Sequence, residues 1–186
     1  MLFKDERFKF IAELIDNAPV ACAIVGGAVR DEVAGRPIKD FDIIVHADDA
    51  SDLLEHLQDE GFIIYEEMGH AYEQAEDKHF ISHYCHWYRI GLDSEEQGEF
   101  IVDLLILRSD IYKREQGIAP SRNFKQCVTN FDNTMNLWMY YAGSIIHLGD
   151  STEKLAIQLK EVDSLRVNHL KEIAKDIGWT YVPLSK

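Results

Sequence analysis

The sequence predicts an α/β protein: a mixed sheet with helices packed on one face, followed by a small helical segment. Three observations carry that expectation. An apolar run over residues 20–25 stops abruptly at Gly26-Gly27, as a buried strand does at a sharp turn. Residues 28–34 have the composition of a short helix with Gly35 placed as its C-cap, and Pro37 bars continuation before a second apolar run opens at Phe41. Residues 151–175 have helical composition, with Gly178 as the cap.

Residues 3–14 open the chain as an amphipathic helix, with apolar Phe8, Ile11, Ala12 and Ile15 near helical spacing. Asn17-Ala18-Pro19 ends it, and the strand–turn–helix–strand unit follows. A further helix is predicted over 51–60, capped by Asp49 or Ser51, with Leu53, Leu54 and Leu57 as its buried stripe. Gly61 closes it, and 62–65 reads as a short strand. The acidic stretch 66–78 lacks periodicity and reads as an exposed loop. Two strands, 79–90 and 100–107, flank turn material and predict a hairpin. Residues 109–126 are polar and mixed, with the basic cluster Lys113, Arg114, Arg122 and Lys125 available to a phosphate or to solvent.

Side chains two apart on a strand share a face, so Asp40 and Asp42 project together while Phe41 points into a core. Adjacent carboxylates repel unless a cation lies between them, and such oxygen-rich sites suit Mg²⁺ together with phosphate oxygens. Gly26-Gly27 lets a phosphate approach the backbone at a helix N-terminus. A metal-binding face beside a phosphate cradle is equipment for nucleotidyl transfer, a reaction carried by positioning and charge stabilisation.

The motifs GGAVRD and DFD, with Gly35-Arg36-Pro37 between them, resemble the head domain of class II CCA-adding enzymes and bacterial poly(A) polymerases. These belong to the polymerase-β-like nucleotidyltransferases. The resemblance runs over about 20–179 and implies a head domain at 1–148 and a helical neck fragment at 149–186, without body and tail. It also implies two Mg²⁺ ions, held by Asp40 and Asp42 with a third carboxylate in the later strand. Asp103, an acid in the apolar run FIVDLLILR, is the candidate, a structural salt bridge being its other reading.

By the same resemblance Gly26, Gly27 and Arg30 cradle the triphosphate. The segment NFDNTMNLWMYYAGSIIHLGD resembles the family stretch after the catalytic strand, with Asp132, Thr134, Met135, Asn136 and Tyr140 at matching places and Asn136 among the nucleotide-binding residues. Asn130 and Phe131 replace the family's paired arginines, implied in triphosphate contact, and His147 replaces an Asp. Lys113, Arg114 or Arg122 are the candidate substitutes. EVDSLRVNHLKEIAKDIGW resembles the neck motif, Val162 standing for its first acid. Asp163 and Arg166, on one helix face, are implied to present hydrogen-bonding groups to cytosine or adenine of CTP or ATP, a helical ion pair being the alternative.

Composition bounds these expectations. With 46% apolar and 11% aromatic residues the chain is globular, and no apolar run approaches the ~20 residues of a membrane span. Cys22, Cys85 and Cys127 are odd in number and scattered, which fits a reducing, cytoplasmic setting. A zinc reading of His70, His79, His83, Cys85 and His86 lacks finger spacing and is outweighed by packing or surface roles. The net charge of −14 opposes unaided grip on a polynucleotide. Three functions stay open: addition of C or A to a tRNA or other RNA 3′ end, with RNA contacts from a partner chain or homo-oligomer; transfer to a small molecule or protein; and nucleotide binding with weakened catalysis.

Overall fold

The computed structural model describes residues 2–68, 83–94, 98–113 and 119–185. Helix α1 (Glu6–Asp16) starts where the Asp5 carboxylate accepts from the N–H groups of Arg7 and Phe8 at 2.8 and 3.2 Å. Then come β1 (Cys22–Val25), α2 (Gly27–Ala34), β2 (Phe41–His46), α3 (Ala50–Asp59) and β3 (Ile63–Met68). The hairpin strands β4 (Tyr84–Ser94) and β5 (Gly98–Leu107) are followed by α4 (Ser121–Val128). A second hairpin, β6 (Trp138–Tyr141) and β7 (Ser144–His147), leads to β8 (Leu155–Ile157), α5 (Ser164–Asp176) and β9 (Thr180–Val182).

Seven strands form one sheet in the order β3-β4-β5-β2-β1-β6-β7. The β2–β5 pair is parallel and the other neighbours are antiparallel, so the sheet is mixed as expected. Alternation along β1 and β2 splits the core. Ile24, Ile43 and Val45 pack with Phe8, Ile11, Val29, Leu53 and Leu57 of α1, α2 and α3 on one face. Ala23, Val25 and Ile44 pack on the other face with Phe124, Cys127 and Val128 of α4. The expectation of helices on one face holds for the first three; α4 adds a patch on the opposite face, because Phe124, Cys127 and Val128 put an apolar stripe on a stretch that reads as polar overall.

The β6–β7 hairpin was not separated from its motif by sequence reading. Its two-residue turn, Ala142-Gly143, has φ of +46° and +74°, the backbone that suits a tight hairpin. Strand β3 runs on to Met68, past the expected strand end at residue 65. The rest of the acidic loop expectation, 69–78, lies outside the described residues, as do residues 79–82 of the expected strand, the hairpin turn 95–97, and His70, His79 and Arg114.

The C-terminal segment is less helical than its composition suggests. Leu155, Ile157 and Leu159 alternate with a period of two, and β8 pairs in parallel with β9 across α5. The helix begins only at Ser164, where the Asp163 carboxylate accepts from the Arg166 N–H at 2.7 Å. Leu170, Ile173 and Ala174 of α5 close a small core with Ala156 and Met135. Met135 belongs to the segment before β6, so this core joins the C-terminal unit to the sheet.

Candidate active site

Asp42 lies on β2 between two partners. Antiparallel pairing sets it opposite Val25, the last residue before the glycine turn, and parallel pairing sets it beside Asp103 of β5. Asp40 precedes the strand and is half-buried, with Lys39 Nζ 4.0 Å from its carboxylate. Burial, then the charges of Asp40 and Asp103, push the Asp42 carboxyl up to about 7, with Arg166 and Arg89 pulling the other way. Negative charge accumulates here beyond what the nearby arginines offset.

The glycine turn faces these carboxylates. Gly26 adopts φ +70°, and its N–H donates to Trp138 O at 2.9 Å. A Cβ placed there would meet the Phe131 ring at 3.2 Å and Asp42 Oδ2 at 3.8 Å, so only glycine allows this approach. Gly27 opens α2, whose first N–H groups have no intrahelical acceptor. A Cβ at Gly27 would lie 3.5 Å from the guanidinium of Arg30. Backbone donors, a helix N-terminus and an arginine thus stand across from Asp42, an arrangement suited to a phosphate chain with its counter-cation.

A polar chain carries this site to the C-terminal helix. Arg30 donates Nε and Nη2 to both oxygens of Asp31, each at 2.9 Å, and Nη1 to Asn136 Oδ1 at 2.5 Å. Asn136 donates to Asp132 Oδ1 at 2.9 Å, and Asp132 Oδ2 accepts from Arg166 Nε at 2.6 Å. Arg36 bridges Asp31 and Asp176 at 3.1 Å to each, so both ends of α5 are tied back toward Asp31. Gly26, Gly27, Arg30, Asn136, Asp42 and Arg166 are therefore brought together. Asp163 is exposed at the N-terminus of α5, its carboxylate engaged as the helix cap.

Asp103 shares the face of Asp42, and both its oxygens accept from Arg89 of β4, Nε at 2.9 Å and Nη2 at 3.0 Å. Among the described residues no three His, Cys, Asp or Glu side chains gather into a metal-binding group. The donor set available to a divalent cation is Asp40 and Asp42, two carboxylates in a region short of positive charge, and it fits Mg²⁺. Of the zinc candidates, His83 Nδ1 lies 2.6 Å from the Tyr112 hydroxyl and Cys85 is exposed. Lys113, Arg122 and Lys125 are exposed around α4.

Sequence reading missed Arg89 and the hub role of Asp31. The signal for Arg89 was available: a hairpin closed at Ser94↔Gly98 sets the lone arginine of β4 opposite Asp103.

Residues 22–90 match the family model of the Poly A polymerase head domain. No curated protein matches the chain. Solved structures share its fold. An apo CCA-adding enzyme is 16% identical, with 95% of this chain and 39% of that chain covered at a TM-score of 0.57. A tRNA nucleotidyltransferase complexed with a primer tRNA and an incoming ATP analog is 18% identical (92% and 46% covered, TM-score 0.55). The Thermotoga maritima CCA-adding enzyme complexed with tRNA is 16% identical (97% and 39% covered, TM-score 0.54). The chain spans less than half the length of each of these proteins. Over residues 22–90 the chain resembles a poly A polymerase head domain, and it has the fold that these solved enzymes show over the parts covered.

Proposed function

We propose that the protein is an Mg²⁺-dependent nucleotidyltransferase that moves a nucleotide, C or A preferred, from an NTP to an acceptor hydroxyl, foremost the 3′ end of a tRNA or other RNA. The observation that carries this reading is the approach of the Gly26 turn to the Asp42 carboxylate, 3.8 Å from a Cβ position that only glycine leaves empty. The head-domain match and the CCA-adding fold support it. Solved neighbours complexed with CTP, with ATP and with a primer tRNA supply the substrate classes.

Asp40 and Asp42 would hold Mg²⁺. Bound there, the metal would lower the pKa of an attacking hydroxyl and offset charge on the leaving pyrophosphate. The N–H groups opening α2 and the Arg30 guanidinium meet the triphosphate, the helix N-terminus favouring its negative charge. Asn136 holds Arg30 in place from the side. Asp163 and Arg166, at the start of α5, present acceptor and donor groups to the base edge, with Asp132 fixing the arginine. In this reading residues 1–148 are the head and 149–186 the neck fragment.

A second reading, transfer to a small molecule or protein, draws on the net charge of −14, which disfavours an RNA acceptor held by this chain alone. One experiment separates the two. The protein is incubated with Mg²⁺ and each labelled NTP, with and without tRNA lacking its 3′ end. Labelled tRNA with C or A, lost in Asp40→Ala, supports RNA tailing. Label transferred only to protein or small acceptors supports the second reading. Absence of both NTP binding and transfer overturns the proposal.

A further inference from the structure

Three adjacent strands line up one side chain each: Arg89 on β4, Asp103 on β5 and Asp42 on β2, in direct register. We infer that Arg89 is the standing partner of Asp103, so that the site takes its divalent cation on Asp40 and Asp42 alone. The inference rests on the nucleotidyltransferase reading and concerns how that site is charged.

The geometry favours a fixed pair. Both Asp103 oxygens are occupied by one guanidinium, at 2.9 and 3.0 Å, the fork-to-carboxylate arrangement that adds direction to charge. The Asp103 side chain is 13% exposed and that of Arg89 39%, so water screens the carboxylate little. The guanidinium carbon also lies 4.9 Å from the Trp87 ring centroid, a cation–π contact with a buried indole. Arginine stays charged at any working pH, so it cannot be titrated out of the way. A divalent cation on Asp103 would have to displace Arg89 and then sit beside its positive charge. Among the described residues no guanidinium grips Asp40 or Asp42 in this way; Asp40 has only the solvent-exposed Lys39 ammonium at 4.0 Å, and Mg²⁺ is content with one or two carboxylates plus water and phosphate oxygens. Arg89 then stands as a positioning residue that holds the Asp103 carboxylate and keeps a permanent positive charge within the site.

The test counts Mn²⁺ binding to the full chain by the electron paramagnetic resonance of free Mn²⁺, alongside thermal melting of each variant. Arg89→Gln with Asp103→Asn removes both charges together and keeps a neutral hydrogen bond. The inference expects Mn²⁺ affinity in this double variant to stay within about twofold of wild type, and Arg89→Met alone to tighten binding by freeing a carboxylate. Asp42→Asn should abolish binding. A double variant that folds and binds Mn²⁺ about tenfold more weakly makes Asp103 a ligand in the wild type and overturns the inference; an Arg89→Met that folds and binds no better shows that Arg89 is not what keeps the cation from Asp103 and overturns it as well. In that case loss of binding in Asp42→Asn still upholds the underlying reading. If wild type binds no Mn²⁺, both fall.

Discussion

Gly26 and Asp42 meet through a single antiparallel strand pair, whereas Arg166 is held near the same carboxylate by a chain of side chains running from Arg30 through Asn136 and Asp132. The first arrangement is set by backbone: hydrogen-bond register fixes Val25 opposite Asp42, and a positive φ at Gly26 turns the chain across it. The second depends on four polar side chains keeping their rotamers, on elements that are far apart in sequence. Backbone register tolerates surface substitution, while a side-chain relay is cut by any one of its members. The phosphate and metal half of the site should therefore fail all at once when touched, and the base-reading half should fail gradually.

The largest expected effect is at Asp42. Asp42→Asn should lower nucleotide transfer by at least about a thousandfold, the scale of losing a group whose charge acts on the transition state. The same substitution should stabilise the protein when divalent cations are absent. The carboxyl titrates near 3.8 in the unfolded chain and at about 7 in the fold, so the folded state holds the proton more tightly. The stability that this proton supports is complete below pH 3.8 and is lost as pH rises through about 7. Melting curves of wild type and Asp42→Asn should coincide near pH 4 and separate above pH 7, with the asparagine variant melting higher by roughly 2–8 °C. A constant gap at all pH values would mean that the charge on Asp42 is not what the fold opposes.

Much of this half was legible in the sequence because it is local. Gly26-Gly27, Arg30, Asp40 and Asp42 lie within one strand–turn–helix–strand unit; period-two alternation predicts a shared face for the two aspartates, and in the fold Asp40 falls just before β2. The C-terminal half was less legible. Residues 151–163 read as helix by composition, yet Leu155, Ile157 and Leu159 alternate and residues 155–157 pair as β8, since a parallel partner becomes available only after α5 crosses back. Asp163 and Arg166 read as a face that reaches a base; in the fold one caps the helix and the other is gripped by Asp132, contacts that spacing does not reveal. Arg89 went unread for a similar reason, since its meaning depends on hairpin register.

Gly26→Ala ranks second and probes the same half from the backbone. The new Cβ meets the Phe131 ring at 3.2 Å at a φ of +70°, so the turn must shift or the ring must yield. Strain of this kind costs about 1–3 kcal/mol, a loss of roughly 3–10 °C in melting temperature for a chain of this size. Transfer should fall about a hundredfold, mostly through a weaker grip on the triphosphate, read as a raised KM for NTP. An alanine variant with normal KM would show that the glycine turn serves folding only.

The smallest effect should come from the two ties of α5, and it separates them. Asp132→Asn removes the charge that fixes Arg166 and should raise KM for the preferred NTP by about tenfold while blurring the choice between C and A. Arg36→Ala cuts the other tie, an ion pair with Asp31 and the exposed Asp176, and should cost less than about 1 kcal/mol. Because Arg30 keeps its own bidentate hold on Asp31, the cradle survives that loss, and the choice of nucleotide should not change. The helix would then be hinged at its C-terminal end and still anchored at Arg166, next to the site. Equal loss of nucleotide choice in both variants would mean that the orientation of α5 as a whole, rather than the Asp132–Arg166 contact, selects the base.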